Sequence, residues 1–353
     1  MKNTFGNKLS FTIFGESHGE EIGIVLDGLR SGIKIDEEFI DHQLSLRRPY
    51  GKLGTARVEN DPYRIVSGAF NGYTTGTPLT IIIPNENTKS ADYSETRYLA
   101  RPSHADYTAH VKYNGFEDYR GGGHFSGRIT AALVAGAAIV IPALKEEGIT
   151  IGTHIKKLAG ICDRDFDDIK SDLEFLNNEK FAVLDNDVRE AMIKAIEDVA
   201  AEGDSIGGHL ESVILGMKPG IGEPFFDSLE SVYSHGLFSV PAIKGVEFGN
   251  AFDNCQLKGS EFNDPFSIKD GRIVTDTNNN SGINGGISNG MPIVIRCAVK
   301  PTPSIYKEQK TVDIDKNKDS TITLKGRHDP AIIHRARVVV DSMLALITYD
   351  VIS

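Results

Sequence analysis

Three histidines stand in turn-like contexts where an imidazole could move a proton. His18 lies in residues 15–19, GESHG, directly after a β-like segment. Glycines on both sides let the backbone turn sharply and approach a ligand closely, and an imidazole held there can donate a proton near neutral pH. On this motif alone, a strand-end turn with a surface histidine is the favoured alternative. His104 lies in residues 101–107, RPSHADY. A proline-fixed turn with Arg101 and His104 three apart suits a carboxylate or phosphate; a solvated loop reads equally well. His328 falls in residues 327–330, RHDP, where the Asp329-Pro330 step reads first as a cap on a final helix.

Residues 120–128, RGGGHFSGR, run into an apolar segment with helical length. Glycines, a hydroxyl and a helix N-terminus make an anion site, because free N–H groups and the helix dipole both favour negative charge. Arg120 and Arg128 would reinforce it, and a plain glycine turn is the alternative. From 97 to 128 there are five Lys/Arg, three Asp/Glu and three His, in a chain whose formal net charge is −11. Arg47, Arg48 and Arg57 add to that local positive charge if the fold brings them near; they could equally form a solvated face. Residues 278–290 are rich in Gly and Asn and lead into a strand ending in KPTPS (300–304), which leaves backbone amides open to a ligand.

The acidic balance argues against non-specific binding to nucleic acid or an anionic membrane, both of which need a cationic face. Cys162, Cys255 and Cys297 are odd in number and widely spaced, which fits a reduced cytoplasm rather than a disulfide framework. The longest apolar run, 131–144, is short for a bilayer and right for a buried helix. The sequence shows no signal core at the N-terminus, no metal-ligand spacing, no G-x-S-x-G elbow and no clean G-x-G-x-x-G after a strand.

These groups must be positioned by a mixed set of elements. Short β-like segments recur at 9–14, 22–26, 64–66, 79–83, 149–154, 212–217, 243–248 and 293–299. Helices are expected at 131–144, at 187–202 with Asn186 as N-cap, and over the tail 331–346. The expectation is a mixed α/β (α+β) protein with many antiparallel hairpins, because the βα alternation of a doubly wound sheet is missing. No linker splits the chain, so residues 1–353 read as one domain, with the polar stretch 162–190 a candidate peripheral insertion.

Taken in order, the motifs resemble the chorismate synthase family from end to end. The matching blocks are FGESHG (14–19), RRP (47–49), TTGTP (74–78), RPSHADYT (101–108), DYRGGG (118–123), GDSIGG (203–208), KGVEFG (244–249), GGISNGMP (285–292), KPTPSI (300–305) and GRHDP (326–330). The resemblance implies an anti 1,4-elimination of phosphate from 5-enolpyruvylshikimate 3-phosphate to give chorismate. It also implies reduced FMN as cofactor, with NADPH involved only indirectly, through flavin reduction. It implies a β-α-β sandwich with a helical layer between antiparallel sheets, assembled as a homotetramer.

Residue by residue, the resemblance puts His18 near the leaving phosphate as proton donor, His104 near the flavin, and Asp329 beside the flavin to assist proton removal. It puts Ser17, Arg47, Arg48, Arg57, Arg101, Arg128 and Arg327 on the substrate, with Arg327 also on the flavin. FMN would lie along His124, Phe125, Ser126, Ala242, Gly285, Lys300, Pro301, Thr302, Pro303 and Ser304. The chain departs from the common pattern at His124 and Phe125, where many members carry Arg and Ser, at Leu53 and at His334. Two other readings remain at this point: a flavin-binding protein that has lost catalysis, and a dehydrogenase using the glycine loop for NAD(P).

Overall fold

The structure is a computed structural model that describes residues 2–49, 53, 60–86, 96–324 and 328–353. Two five-stranded antiparallel sheets enclose a layer of helices. The first contains β1 (Thr4–Phe5), β2 (Ser10–Gly15), β3 (Glu21–Asp27), β4 (Arg64–Ser67) and β5 (Leu79–Pro84), in the order β1-β2-β3-β5-β4. The second contains β6 (Thr150–Leu158), β7 (Ile161–Cys162), β8 (Gly208–Leu215), β9 (Ile243–Phe248) and β10 (Ile293–Val299), in the order β9-β10-β8-β6-β7. The middle layer is built from α1 (Glu37–Arg47), α2 (Thr130–Glu146), α3 (Leu229–Leu237) and α4 (Ile333–Ile352).

Alternation fixes which face of each sheet is covered. Ile22, Ile24 and Leu26 of β3 pair with Ile83, Ile81 and Leu79 of β5, and all six are fully buried. With period-2 side chains, that stacks one apolar face against the helices. Helix α2 packs on β3 and β5 and against α4, while α4 packs on β6 and β8. A helix buried on all sides needs an apolar surface all round, and twelve of the seventeen α2 residues are buried. The stretch 127–146 is long and apolar enough to cross a membrane by composition, but 78% of its most apolar window is buried inside the sandwich. At Gly136 a Cβ would lie 2.8 Å from Ile24 Cδ1, so the absent side chain lets the helix seat closely on the first sheet.

Polar contacts pin the layers. The Asp350 carboxylate, near the end of α4, accepts the backbone N–H groups of Asn7, Lys8 and Leu9 at 3.0, 2.7 and 2.8 Å. That holds the turn into β2, whose far end carries the first histidine motif. Between α4 and the second sheet, Thr153 Oγ1 donates to Asp341 Oδ1 at 2.5 Å, and Arg337 Nη1 donates to Asp341 Oδ2 at 2.9 Å. Burial drives the Asp341 carboxyl up, against the opposing pull of Arg337.

Several local expectations change. The Asn186–Ala201 helix is capped by Asp185, whose side chain accepts Asp187 N–H at 2.9 Å, not by Asn186. The final helix starts at Ile333 and runs to Ile352, with Ile332, not Asp329, at its N-cap. Within 162–190, Leu173, Leu176, Phe181, Ala182 and Val183 are buried, and Ala182 C=O accepts Ile155 N–H at 2.8 Å. Arg337 also donates to Leu176 C=O at 3.2 Å and to Glu179 C=O. Much of that stretch therefore packs against β6 and α4, because its apolar residues cover the end of the second sheet.

Candidate active site

The glycine loop is the centre of the site. Arg120–Phe125 forms a 3-10 turn in which Gly121, Gly122 and Gly123 take left-handed φ values of 60°, 88° and 52°. A second turn, Gly127–Ile129, stands between it and α2, with Ser126 Oγ accepting Arg128 N–H at 3.2 Å. The glycines are therefore set off from the N-terminus of the central helix by this second turn, where the sequence reading runs them straight into it. They act through their missing side chains. A Cβ on Gly121 would lie 2.2 Å from His18 Cε1, and one on Gly122 would lie 3.0 Å from His104 Cε1. Two imidazoles 86 positions apart in sequence are thus drawn against one loop.

Each ring is held from behind. Ser17 is buried, its Oγ lies 3.1 Å from His18 Nδ1 and 3.2 Å from Arg120 C=O, and its N–H donates to Gly123 C=O at 3.1 Å. His104 Nδ1 lies 2.7 Å from Asp106 Oδ1, which also accepts Arg101 Nη2 at 2.6 Å. Burial pushes the Asp106 carboxyl up, but Arg101 and His104 together hold it far below the usual carboxylate range. His124 Nδ1 lies 2.8 Å from Gly15 C=O, joining the loop to the end of β2.

Beside the loop opens a cavity of about 900 Å³, at the upper end of small-molecule sites. Among the described residues its wall carries seven Lys/Arg side chains (Lys2, Arg47, Arg101, Arg128, Lys244, Lys300 and Arg335) and a single carboxylate, Asp329. His104, His124, His235 and His328 also reach it, and Leu133, Val240, Ile332, Ala336, Val339 and Met343 give it an apolar floor. A chain that is acidic overall therefore concentrates positive charge where a ligand would sit.

Of the residues expected at the site, the cavity gathers Arg47, Arg101, His104, His124, Phe125, Ser126, Arg128, Ala242, Lys300, Thr302, Pro303, Ser304 and Asp329. His18 and Ser17 stand behind Gly121 rather than on the wall. Arg48 turns away and donates to Asn60 C=O at 2.5 Å. Pro301 does not line the cavity, and neither does Gly285, in the hairpin between Ile283–Asn284 and Ile287–Ser288. Arg57 and Arg327 lie outside the described residues.

The arginines are less available than the sequence suggests. Arg101 is bidentate to Asp106, with Nε to Oδ2 at 2.7 Å. Arg128 donates to Asn85 Oδ1 at 2.9 Å, to Pro84 C=O at 3.1 Å and to Asp61. Asp329 accepts Arg335 Nη1 at 2.6 Å, a contact that takes the place of the expected helix cap. Asp61, Asn85 and Arg335 were not singled out in the sequence, and nothing local distinguishes them; Lys244 was seen only as the first residue of the KGVEFG block, with no role attached. Asp106 was legible, because Arg-x-x-His-x-Asp places three charged groups within one turn.

Lys244, in β9, and Lys300, directly after β10, both reach the cavity wall. The β9–β10 register slips between Ile243 and Gly245, where Lys244 lies, and Ala242 has φ +75°. Burial and the neighbouring Lys244 ammonium both push the Lys300 amine down. Thr302 Oγ1 is buried without a protein partner, so a polar donor is left over in the same wall.

Comparison with known proteins decides the family. The chain matches the family model for chorismate synthase over residues 9–352. The chain belongs to the chorismate synthase family. It is 42% identical to the chorismate synthase of Thermococcus kodakarensis and 43% identical to that of Pyrococcus abyssi, in each case over 98% of this chain and 96% of the relative. A crystal structure of a chorismate synthase superposes with a TM-score of 0.75 at 27% identity, covering 98% of this chain and 92% of that one. The sandwich of helices between antiparallel sheets is therefore the chorismate synthase fold. The activity is that of a carbon–oxygen lyase that eliminates phosphate to form chorismate in the shikimate pathway.

Proposed function

We propose that this chorismate synthase acts on 5-enolpyruvylshikimate 3-phosphate in the cavity beside Gly121, with reduced FMN bound against the apolar floor. The observation that carries this reading is the charge of the wall, seven cationic side chains against one carboxylate. A substrate with two carboxylates and a phosphate matches that wall, and the floor suits a flat aromatic ring. The unpartnered Thr302 hydroxyl fits a polar ligand atom lying along 300–304. Reduced flavin bound there would supply transient electron density to the breaking C–O bond, which no side chain of the chain can do.

The protein's own groups bind, orient and move protons. Arg47, Arg101 and Arg128 supply positive charge to the substrate's anionic groups. His18, held by Ser17 behind Gly121, is assigned on the family resemblance as proton donor to the leaving phosphate. Asp106 fixes the His104 ring so that its other nitrogen faces the loop. Among the described residues Asp329 is the one carboxylate on the wall able to take a substrate proton, and Arg335 orients it. Ser126, His124, Ala242, Lys300, Thr302, Pro303 and Ser304 would hold the flavin. We infer a cytoplasmic homotetramer. NADPH enters only through flavin reduction.

The test is anaerobic phosphate release from the substrate with dithionite-reduced FMN. Wild-type protein should release phosphate, and His18→Ala should lower turnover about a hundredfold while FMN still binds. No release by wild-type protein refutes the assignment, and unchanged turnover removes His18 from the chemistry. Turnover driven by NADPH without flavin would instead revive the dehydrogenase reading.

A further inference from the structure

The segment around Asp61 collects guanidinium groups from three directions. Asp61 Oδ2 accepts Arg47 Nη2 at 3.4 Å, its Oδ1 accepts Arg128 Nη1, and the preceding Asn60 C=O accepts Arg48 Nη2 at 2.5 Å. The Asp61 side chain is fully buried, and those of Arg47 and Arg128 are 3% and 6% exposed. Asp61 also holds φ +47°, a left-handed conformation that costs a non-glycine residue about 1 kcal/mol or more. Strain of that kind persists where surrounding contacts fix the residue in place.

Burial works against the Asp61 charge, but Arg47 and then Arg128 pull its carboxyl below the ordinary value, so it stays ionised between them. Asp61 itself does not line the cavity, whereas Arg47 and Arg128 do. Two buried guanidiniums side by side would repel each other and swing apart. With one carboxylate bridging them they are held as a fixed fork.

We propose that Asp61 is a positioning residue for substrate binding: it sets the spacing of the Arg47–Arg128 fork that meets an anionic group of the substrate. This rests on the reading of the cavity as the substrate site. Asp61 touches no reacting atom and acts only through the two arginines. A residue with a merely structural role would change stability and every ligand alike. A positioning role changes substrate binding selectively, because a displaced fork loses binding shared by ground and transition states.

The experiment uses full-length protein with Asp61→Glu and Asp61→Asn. The Glu variant keeps the buried charge balanced while displacing the carboxylate, so it folds even if the Asn variant does not. In each variant that is folded by far-UV circular dichroism, the KM for substrate should rise about tenfold or more. Reduced kcat should account for less of the loss, and FMN affinity should stay within about threefold of wild type. A folded variant with KM within about threefold of wild type overturns the proposal, as does an equal loss of FMN affinity and substrate affinity. Absence of turnover in the wild-type control refutes the substrate reading itself, whereas normal wild-type turnover beside an unaffected variant refutes only the role of Asp61.

Discussion

Replacing Gly121 by alanine tests the geometry around which the site is built. The added Cβ would sit 2.2 Å from His18 Cε1, 2.3 Å from His18 Nδ1 and 2.8 Å from Ser17 Oγ. Carbon atoms approach to about 3.5 Å at their optimum, so the imidazole must retreat by roughly 1 Å. A misplacement of about 1 Å in a catalytic group costs on the order of a hundredfold in rate, and that is the loss expected in anaerobic phosphate release. The backbone penalty is separate. Alanine at φ +60° costs about 1–2 kcal/mol, which in a chain of 353 residues lowers Tm by only about 2 °C. Gly160→Ala supplies the control, since Gly160 has φ +81° with nothing within 4 Å of its Cβ position. It should show a comparable Tm shift and normal turnover. If Gly121→Ala turns over within about threefold of wild type while Gly160→Ala behaves as expected, His18 does not act from its place against the loop.

Two further outcomes follow from single side chains. His334 is 1% exposed, stacks on Phe181 with centroids 6.1 Å apart, and burial pushes its imidazole down to about 4. Below about pH 6.5 the unfolded chain takes up a proton that the folded chain refuses, so this residue costs about 2 kcal/mol of stability between pH 7 and pH 5. His334→Leu removes that cost, and its Tm advantage over wild type should grow by roughly 3 °C at pH 5 relative to pH 7; an equal gap at both pH values refutes the linkage. Asp329→Asn should lower turnover about a hundredfold at unchanged FMN affinity, whereas a normal rate would leave Asp329 as no more than the anchor of Arg335.

Some helices were legible and others were not, for reasons that lie in their surroundings. Helix α2 announces itself because a helix in the middle of a sandwich must be apolar on every side. Helix α1 does not, because Gln43 and Arg47 are buried alongside Ile40 and Leu44, so its inner face is partly polar where it meets the site. Asp329-Pro330 reads as a helix cap in isolation, yet its carboxylate is taken by Arg335, six positions on in the first turn of α4. Capping propensity alone does not show which side chain wins the carboxylate.

The sequence by itself determined the strands with alternating apolar residues, the all-apolar central helix, the histidine and glycine motifs, and through their order the family. All of these are local, because side-chain period and backbone freedom are properties of short segments. Only the tertiary structure decided which charges meet. Asp61 joins Arg47 and Arg128, 14 and 67 positions away, and His18 and His104 close on the two sides of one glycine loop. Those contacts follow from sheet register and the seating of α2, and short-range sequence patterns carry no information about either. The local positive charge read from 97 to 128 was correct in sign. The availability of Arg47 and Arg128 was not legible, because Asp61 binds them across 14 and 67 positions only once the chain is folded.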